Sequence, residues 1–375
     1  MTVAAFMDLA LYDPEFGYYA RAPRRSGRAG DFFTSVDVGP LFGELLEVQI
    51  AEMAGMLTAQ DAKDAGFDLV EVGAGNGRLA ADMLHAASVN HPDLYTRTRL
   101  HLVEASAAAR AAQAAMLGDA AGHLASSSAT LPPSFEGVLV ANELLDAMPV
   151  HQVVMREDGL HEVYVESSTG PLRLREAPLS TPALANYLDR LNVSLEPGWR
   201  VEINLGAVEW VRDAARQLRR GFIILIDYGH EARDLYSVSH AGGTLTTLTR
   251  HTMAGAESAA SSTPWLLHPG EQDITAHVDF TSVRAAAEAE GCVTLAFLDQ
   301  TYFLLGLASA VSNLVDAPNL ANTANLASAA NLKKRVALKT LVMPGGLGST
   351  MKVLILGKGM GTPALRGCSF RVRAT

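Results

Sequence analysis

The stretch LVEVGAGNG, residues 69–77, places three glycines at alternate positions behind a short apolar run. Fixing a glycine costs more conformational entropy than fixing any other residue, so three together need a physical reason. A strand that ends in glycines and runs into a helix exposes its backbone N–H groups to a ligand, because no side chains intervene. We therefore predict that this turn cradles a ligand.

The spacing of the glycines distinguishes one class of ligand from another. The dinucleotide fingerprint is G-x-G-x-x-G, whereas Gly73, Gly75 and Gly77 form G-x-G-x-G, with Glu71 two residues before the first. This pattern suits S-adenosylmethionine, which has no pyrophosphate and whose amino-acid and ribose portions can lie against the turn. The structural alternative is a tight strand–helix turn that binds nothing.

A second acidic residue supports the binding of a nucleoside. Glu104 lies near the end of RLHLVEAS, residues 99–106, which reads as the next strand along the chain. A carboxylate at the end of that strand can accept hydrogen bonds from both hydroxyls of a ribose. We predict that Glu104 holds the ribose of the cofactor.

Strand and helix patterns alternate on both sides of the glycine turn. Apolar strands are predicted at 67–73, 99–106, 136–143 and 221–229, and helices at 78–88 and from the end of the second strand to residue 117. Such alternation implies parallel pairing in a doubly wound α/β sheet. We expect an N-terminal helical and cofactor-lid segment at 1–60 and a main domain at 61–375. Insertions are expected at about 151–200, as a β-hairpin, and at about 230–280.

Composition and charge exclude several classes of function. The chain has 375 residues, of which 49% are hydrophobic, and its net charge is −10. It lacks the positive surface that nucleic acid or an anionic membrane requires, and no apolar run is long enough to cross a bilayer. Cys292 and Cys368 form no CxxC motif, so we expect neither a disulfide framework nor a metal site. The N-terminal residues lack a secretory or transit pattern, which predicts a cytoplasmic protein.

Seven segments resemble those of the MidA/NDUFAF7 family and occur in the same order. They are ALYDPEFGYYA (10–20), GDFFTS (30–35), LFGELLEVQ (41–49), LVEVGAGNGRL (69–79), ANELLDAMPVHQ (141–152), LIDYGH (225–230) and PGEQDITAHVDF (269–280). The resemblance implies a class I methyltransferase that uses S-adenosylmethionine, with a mostly parallel sheet and an antiparallel final strand. Mitochondrial members of the family are respiratory complex I assembly factors that methylate an arginine of a core subunit. An arginine of a partner protein is therefore the expected acceptor.

Two features depart from the family pattern. The family often has G-P-G-R-G where this chain has GAGNG at 73–77. Because the glycines remain, cofactor binding should survive this change. Residues 254–263 resemble a local expansion near the expected substrate entrance, so the family likeness defines the acceptor less well than the cofactor.

An arginine acceptor determines the chemistry that the site must perform. A guanidinium is always charged at neutral pH, so carboxylates must grip it and one of them can accept a proton during methyl transfer. Chemistry in open α/β sheets lies beyond the carboxyl ends of the strands. We predict that Glu143 grips the acceptor, that Asn142 supports the cofactor or the acceptor, and that Asp146 is a second carboxylate. Alternatively, Asn142 and Glu143 cap a following helix.

Two further segments carry candidate residues. His277 could accept a proton near neutral pH, or it could be a packed histidine that orders its loop. In GDFFTS we expect Phe32 to shield the reaction from water, and Thr34 and Ser35 to bond the methionine carboxylate of the cofactor. Alternatively, this segment is an ordinary loop anchor that packs through its apolar residues and binds no cofactor. Asp279 is expected to cap the helix that begins at the next residue.

Three functions fit these observations. The first is a methyltransferase acting on an arginine of a partner protein. The second is a small-molecule O- or N-methyltransferase, since class I folds host both and the fold does not determine the substrate. The third is an inactive methyltransferase-like assembly factor that retains the cofactor pocket as structure.

Overall fold

The computed structural model describes residues 1–21, 34–58, 66–167, 170–249, 252–254, 263–311, 329–343 and 350–370. The chain divides into two compact units. Unit 1 comprises Met1–Phe33, Glu143–Ala214 and Asp227–Glu290, and unit 2 comprises Thr34–Asn142, Ala215–Ile226 and Gly291–Thr375. This partition differs from the division at residue 60 expected from the sequence, because the chain passes between the units five times.

The described residues form strands and helices throughout both units. The strands are β1 (Phe67–Val72), β2 (Thr98–Val103), β3 (Leu124–Ser128), β4 (Phe135–Asn142), β5 (His151–Arg156), β6 (Gly159–Glu166), β7 (Arg173–Ala177), β8 (Arg200–Ile203), β9 (Leu218–His230), β10 (Thr246–Thr249), β11 (Thr252–Ala254), β12 (Asp273–Thr275), β13 (Val278–Asp279), β14 (Val293–Asp299) and β15 (Met351–Lys358). The α-helices are α1 (Val3–Tyr12), α2 (Tyr18–Arg21), α3 (Leu41–Thr58), α4 (Arg78–Asn90), α5 (Pro92–Arg97), α6 (Ala107–Leu117), α7 (Ala183–Leu191), α8 (Leu205–Gln217), α9 (Ala232–Leu235), α10 (Phe280–Ala289), α11 (Gln300–Ala308) and α12 (Ala329–Val342). Short 3₁₀ helices lie at Ser35–Val38, Gly118–His123, Val238–His240, Pro264–Leu266 and Arg366–Cys368.

In unit 2, seven strands of one sheet are hydrogen-bonded side by side in the order β14-β15-β9-β4-β1-β2-β3. Strand β1 pairs in parallel with both β2 and β4, and β2–β3 and β4–β9 are also parallel. Strands β14 and β15 pair antiparallel. The predicted α/β class and its mostly parallel sheet are confirmed, because buried apolar strands alternate with helices as the sequence indicated.

The parallel register brings the ends of the central strands to one edge of this sheet. Val72, the last residue of β1, is paired with Val103 of β2 and with Ala141 of β4. One residue further along β4, Asn142 is paired with Ile226 of β9. The connections after β1, β2 and β4 therefore leave the sheet at the same edge, which is where open α/β sheets bind ligands.

Unit 1 contains two antiparallel sheets. Four strands are ordered β7-β6-β5-β8, and three are ordered β11-β10-β12. The region 151–200 therefore exceeds the predicted hairpin: β5 and β6 form the hairpin, while β7 and β8 extend it on either side. Helix α1 packs against this region through an apolar cluster that includes Phe6, Met7 and Trp265.

Asp279 caps the start of α10, as predicted. Its Oδ1 accepts hydrogen bonds from the N–H groups of Thr281 and Ser282, which are two of the donors that a helix start leaves without intrahelical partners. Among the described residues, no helix combines the length and apolar composition needed to cross a membrane.

Candidate active site

The turn after β1 requires its glycines. Gly73, Gly75 and Gly77 have φ values of 70°, 51° and 86°, in the left-handed region that residues with a Cβ rarely adopt. A Cβ placed on Gly75 would meet no atom within 4 Å, so this residue faces open space. A Cβ on Gly77 would come within 3.2 Å of Leu102 of β2. The turn thus combines an open face at Gly75 with close packing at Gly77.

Backbone hydrogen bonds attach the turn to the end of β2. The N–H groups of Gly73 and Ala74 both donate to the carbonyl of Val103, at 2.9 and 3.2 Å. The Gly77 N–H donates to the carbonyl of Ala74 at 2.8 Å, which closes the turn just before α4. These bonds hold the turn in place without a ligand.

A buried side chain that the sequence analysis missed supports the turn from α6. The Gln113 amide donates to the carbonyl of Gly75 at 2.9 Å and accepts from the Ser127 hydroxyl of β3 at 2.6 Å. Gln113 is completely buried. The available signal was a lone amide in the alanine-rich helix, but its partners in the turn after β1 and on β3 are distant in sequence.

Glu104 occupies the position predicted for it, directly after β2. Its Oε2 accepts a hydrogen bond from the Gly75 N–H at 2.8 Å, and its Oε1 accepts from the Ser106 N–H at 2.8 Å. A carboxylate has about four lone-pair sites, so each oxygen can accept a further bond. Glu104 is therefore bound to the turn itself and retains the capacity to hold a ribose diol.

Glu71 is a buried acid with an unsatisfied oxygen. Its side chain is 4% exposed, and Oε2 has no hydrogen-bond partner within the described part of the chain. Burial, together with the negative charges of Glu104 and Asp82, raises the pKa of Glu71 to about 8, although the Ala80 N–H opposes this shift. An orphaned carboxyl oxygen of this kind fits a cationic partner such as the ammonium group of S-adenosylmethionine.

The open glycine face, the acid after β2 and the orphaned oxygen of Glu71 together fit the expected cofactor. Each matches one part of the molecule: the nucleoside against the bare turn, the ribose at Glu104 and the amino group at Glu71. The predicted positions of the glycine turn and both acids therefore agree with the structure, while their roles in binding stay predictions.

The lid segment is described only from Thr34 onward. The Thr34 N–H and hydroxyl both donate to Asp37 Oδ2, at 3.1 and 3.0 Å. Ser35 is fully buried, with its hydroxyl 3.3 Å from the side-chain oxygen of Gln300. These contacts favour the alternative of a loop anchor, and a role for either hydroxyl in cofactor binding stays a prediction. Phe32 lies outside the described residues, as do 255–262 of the expected expansion.

Unit 1 contains an acidic group at the residues that follow β4. Three consecutive backbone N–H groups donate to Asp227 Oδ2, from Leu144, Leu145 and Asp146 at 3.1, 2.7 and 3.4 Å. Residues 143–149 form turns and bends, so the alternative in which Asn142 and Glu143 cap a helix is wrong. The chain turns around the Asp227 carboxylate because that carboxylate satisfies the backbone donors that a helix would otherwise use.

Glu143 adopts a strained backbone conformation directly after the last residue of β4, the half-buried Asn142. Its φ is 51°, in a region where residues other than glycine are uncommon. Such strain persists only where surrounding contacts impose it, and it concentrates at functional sites. Burial, followed by the negative charge of Glu143, raises the pKa of Tyr228.

Asp146 is buried beside Asp227. Its Oδ2 accepts from the Thr275 hydroxyl at 2.8 Å, and its side chain hydrogen-bonds that of Asp227. Burial raises the pKa of both carboxyls, and the charge of Asp146 raises that of Asp227 further. Because burial favours the neutral form of each carboxyl, Asp146 orders the turn more readily than it grips an acceptor.

His277 is packed against two other histidines. Its ring centroid lies 5.2 Å from that of His230 and 5.9 Å from that of His240, and its backbone N–H donates to the Thr244 hydroxyl at 3.0 Å. Burial, followed by the charges of the neighbouring rings, lowers the pKa of His277 to about 4. Because so weak a base accepts a proton poorly at neutral pH, this environment favours the packed alternative over catalysis.

Comparisons with known proteins agree with a methyltransferase that uses S-adenosylmethionine. The model of a family of S-adenosyl-L-methionine-dependent methyltransferases matches residues 49–298. The mouse mitochondrial protein arginine methyltransferase NDUFAF7 is 28% identical over 346 residues, covering 84% of this chain and 73% of the mouse protein. Its zebrafish counterpart is 29% identical over 344 residues, covering 84% and 76%. A crystal structure of a Burkholderia thailandensis protein bound to S-adenosyl-homocysteine matches with a TM-score of 0.82 and 28% identity, covering 100% of this chain and 92% of that protein.

We expect Gly75→Val to weaken the binding of S-adenosylmethionine, because the new side chain would occupy the open face of the turn. The affinity should fall on the order of 100-fold, equivalent to about 2.7 kcal/mol. Isothermal titration calorimetry measures the change directly.

Gly118→Val is the matched control for this variant. Gly118 has a φ of 54° and also faces open space, but it lies at the carboxyl end of α6, outside the turn. Both variants should lose about 1–2 kcal/mol of stability from left-handed strain, whereas only Gly75→Val should lose the cofactor. Equal affinities in the two variants would contradict the cradle.

Binding of S-adenosylmethionine at pH 7 should release up to about one proton from Glu71. With a pKa of about 8 this carboxyl is mostly protonated at pH 7, and a bound ammonium group would lower its pKa and ionise it. Calorimetry in buffers of different ionisation enthalpy counts the released protons. Glu71→Gln should bind without this release; a release unchanged in that variant would assign the proton to another group.

Proposed function

Because the chain belongs to the family of S-adenosyl-L-methionine-dependent methyltransferases, we propose that it N-methylates an arginine side chain of a partner protein. The observation that carries this proposal is Glu143, a half-buried acid directly after β4 with a strained φ of 51°. A carboxylate favours a cationic acceptor, and a guanidinium is cationic at every physiological pH.

Each cofactor residue is assigned to one part of S-adenosylmethionine. The open face of the turn at Gly73, Gly75 and Gly77 would receive the nucleoside, Glu104 its ribose hydroxyls and Glu71 its ammonium group. The cofactor, when bound, supplies an activated methyl group on a sulfonium. The chain contributes alignment, because methyl transfer depends mainly on holding the two reactants in line.

We assign the binding of the acceptor to Glu143. It is half-buried, and its strained φ of 51° sets the direction in which its Cβ leaves the backbone. A carboxylate held in this way can grip a guanidinium through two parallel hydrogen bonds and accept the proton that leaves during transfer. Asp227 supports this role indirectly, because it binds the backbone of the three residues after Glu143.

The relatives support the same acceptor class. The mouse and zebrafish proteins are named protein arginine methyltransferases, at 28% and 29% identity. A small-molecule acceptor is the second candidate, and an inactive assembly factor is the third. The unsatisfied oxygen of Glu71 argues against the third, because a pocket kept only as structure has no need to bury an unpaired acid. The mitochondrial names of the relatives give no support to the expected cytoplasmic location, which stays a prediction.

Methyl transfer into a cell lysate tests the acceptor class. The purified chain is incubated with lysate and S-adenosylmethionine carrying a labelled methyl group, and the products are separated by size. Label in a protein band that yields methylated arginine on hydrolysis supports the proposal. Label confined to small molecules would establish the second candidate, and no transfer by a chain that binds the cofactor would establish the third.

In the same assay we expect Glu143→Gln to keep its affinity for S-adenosylmethionine. Its turnover should fall by on the order of 100-fold, because an amide neither accepts the proton nor forms an ion pair with a guanidinium. Glu157→Gln is the matched control, since Glu157 is exposed at the β5–β6 turn. Turnover of Glu143→Gln equal to that of the control would remove Glu143 from the mechanism.

A further inference from the structure

Three histidines from separate segments of unit 1 converge on one point. His230 ends β9, His240 ends the 3₁₀ helix Val238–His240, and His277 lies in the link between β12 and β13. One ring nitrogen of each lies within 4.8 Å of the corresponding nitrogens of the other two. All three side chains are partly exposed, so the cluster is accessible to ions from solution.

The spacing of the rings matches that of imidazoles around a single metal ion. In tetrahedral zinc sites the Zn–N distance is about 2.0–2.1 Å, which places the centres of neighbouring imidazole rings about 5 Å apart. The ring centroids here are 4.8, 5.2 and 5.9 Å apart, with interplanar angles of 43°, 45° and 72°. The rings are therefore at coordination spacing already, and rotation of the side chains brings the nitrogens closer.

Two of the rings have a nitrogen available to a metal. His240 Nδ1 lies 2.9 Å from the carbonyl oxygen of Asp234, which can only accept, so Nδ1 carries the hydrogen and Nε2 has the free lone pair. Metal-binding histidines characteristically bond the second ring nitrogen to a carbonyl or carboxylate in this way. His277 Nδ1 is buried and has no hydrogen-bond partner among the residues that the structure describes.

We propose that His230, His240 and His277 form a binding site for one zinc ion. Three neutral imidazoles suit zinc and similar transition metals, whereas magnesium and calcium require oxygen ligands. Three protein ligands leave the fourth tetrahedral position to water or another small ligand. None of these three histidines is assigned to the cofactor, and the proposed methyl transfer does not require the ion.

The consequence of zinc binding is a cross-link among elements that carry the acidic group. His230 is three residues beyond Asp227 in β9, and His277 is two residues beyond Thr275, which bonds Asp146. A metal bound by both histidines fixes the ends of these segments and stabilises unit 1 against unfolding. We therefore assign the ion a structural role rather than a catalytic one.

Titration of the full-length chain with zinc tests the proposal. The protein carries no histidine tag and is first stripped with a chelator; zinc binding is then measured by competition with a chromogenic chelator, and cobalt serves as a visible spectroscopic probe. We expect one equivalent of zinc, a cobalt spectrum typical of tetrahedral nitrogen coordination, and a rise in melting temperature on adding zinc.

Two single variants and a control locate the site. His240→Ala and His230→Ala should each weaken zinc binding by on the order of 100-fold, whereas His268→Ala should not, because His268 is exposed and lies outside the cluster. Circular dichroism and cofactor affinity report whether each variant is folded. Wild-type protein that binds no zinc, or folded His240→Ala and His230→Ala that bind it as tightly as wild type, would overturn the proposal. If one variant does not fold, the other variant and the wild-type cobalt spectrum decide whether the zinc site exists.

Discussion

The hydrogen bond between the Gly75 N–H and the Glu104 carboxylate is the constraint on which the cofactor site depends. It joins the turn after β1 to the residue after β2, two strands whose last residues, Val72 and Val103, are already paired in parallel. The bond thus couples the part of the turn that has no side chain to the acid expected to hold a ribose. A mobile carboxylate would have to be ordered by the ligand, whereas this one is ordered beforehand, which lowers the entropic cost of binding.

The acidic group in unit 1 shows how a fold can bury two carboxyls by giving each of them hydrogen-bond donors. Asp227 accepts from four backbone N–H groups, and Asp146 accepts from the Thr275 hydroxyl. These partners stabilise two buried carboxyls that would otherwise carry a large desolvation penalty. Glu143 differs, because it is half-buried and held by a strained backbone. This contrast is the physical reason for assigning the acceptor to Glu143 and a positioning role to the other two acids.

Much of the fold and of the cofactor site could be predicted because the relevant signals are local in sequence. Alternating strands and helices, the glycine turn and the acid after the next strand are each visible within a few residues. Contacts between distant segments could not be predicted in this way. Gln113 supports Gly75 from helix α6, and the pairings of β7 with β6 and of β8 with β5 convert a predicted hairpin into a four-stranded sheet. The histidine cluster, too, draws on three segments that share no motif, so a metal site was not expected from the sequence.

A crystal structure of the chain with S-adenosyl-homocysteine tests the central claim most directly. The account predicts that the nucleoside lies against the open face of Gly75, with both ribose hydroxyls within hydrogen-bonding distance of Glu104 and the amino group at Glu71. A ligand bound elsewhere, with Glu104 facing away from it and nothing against the turn, would contradict the account.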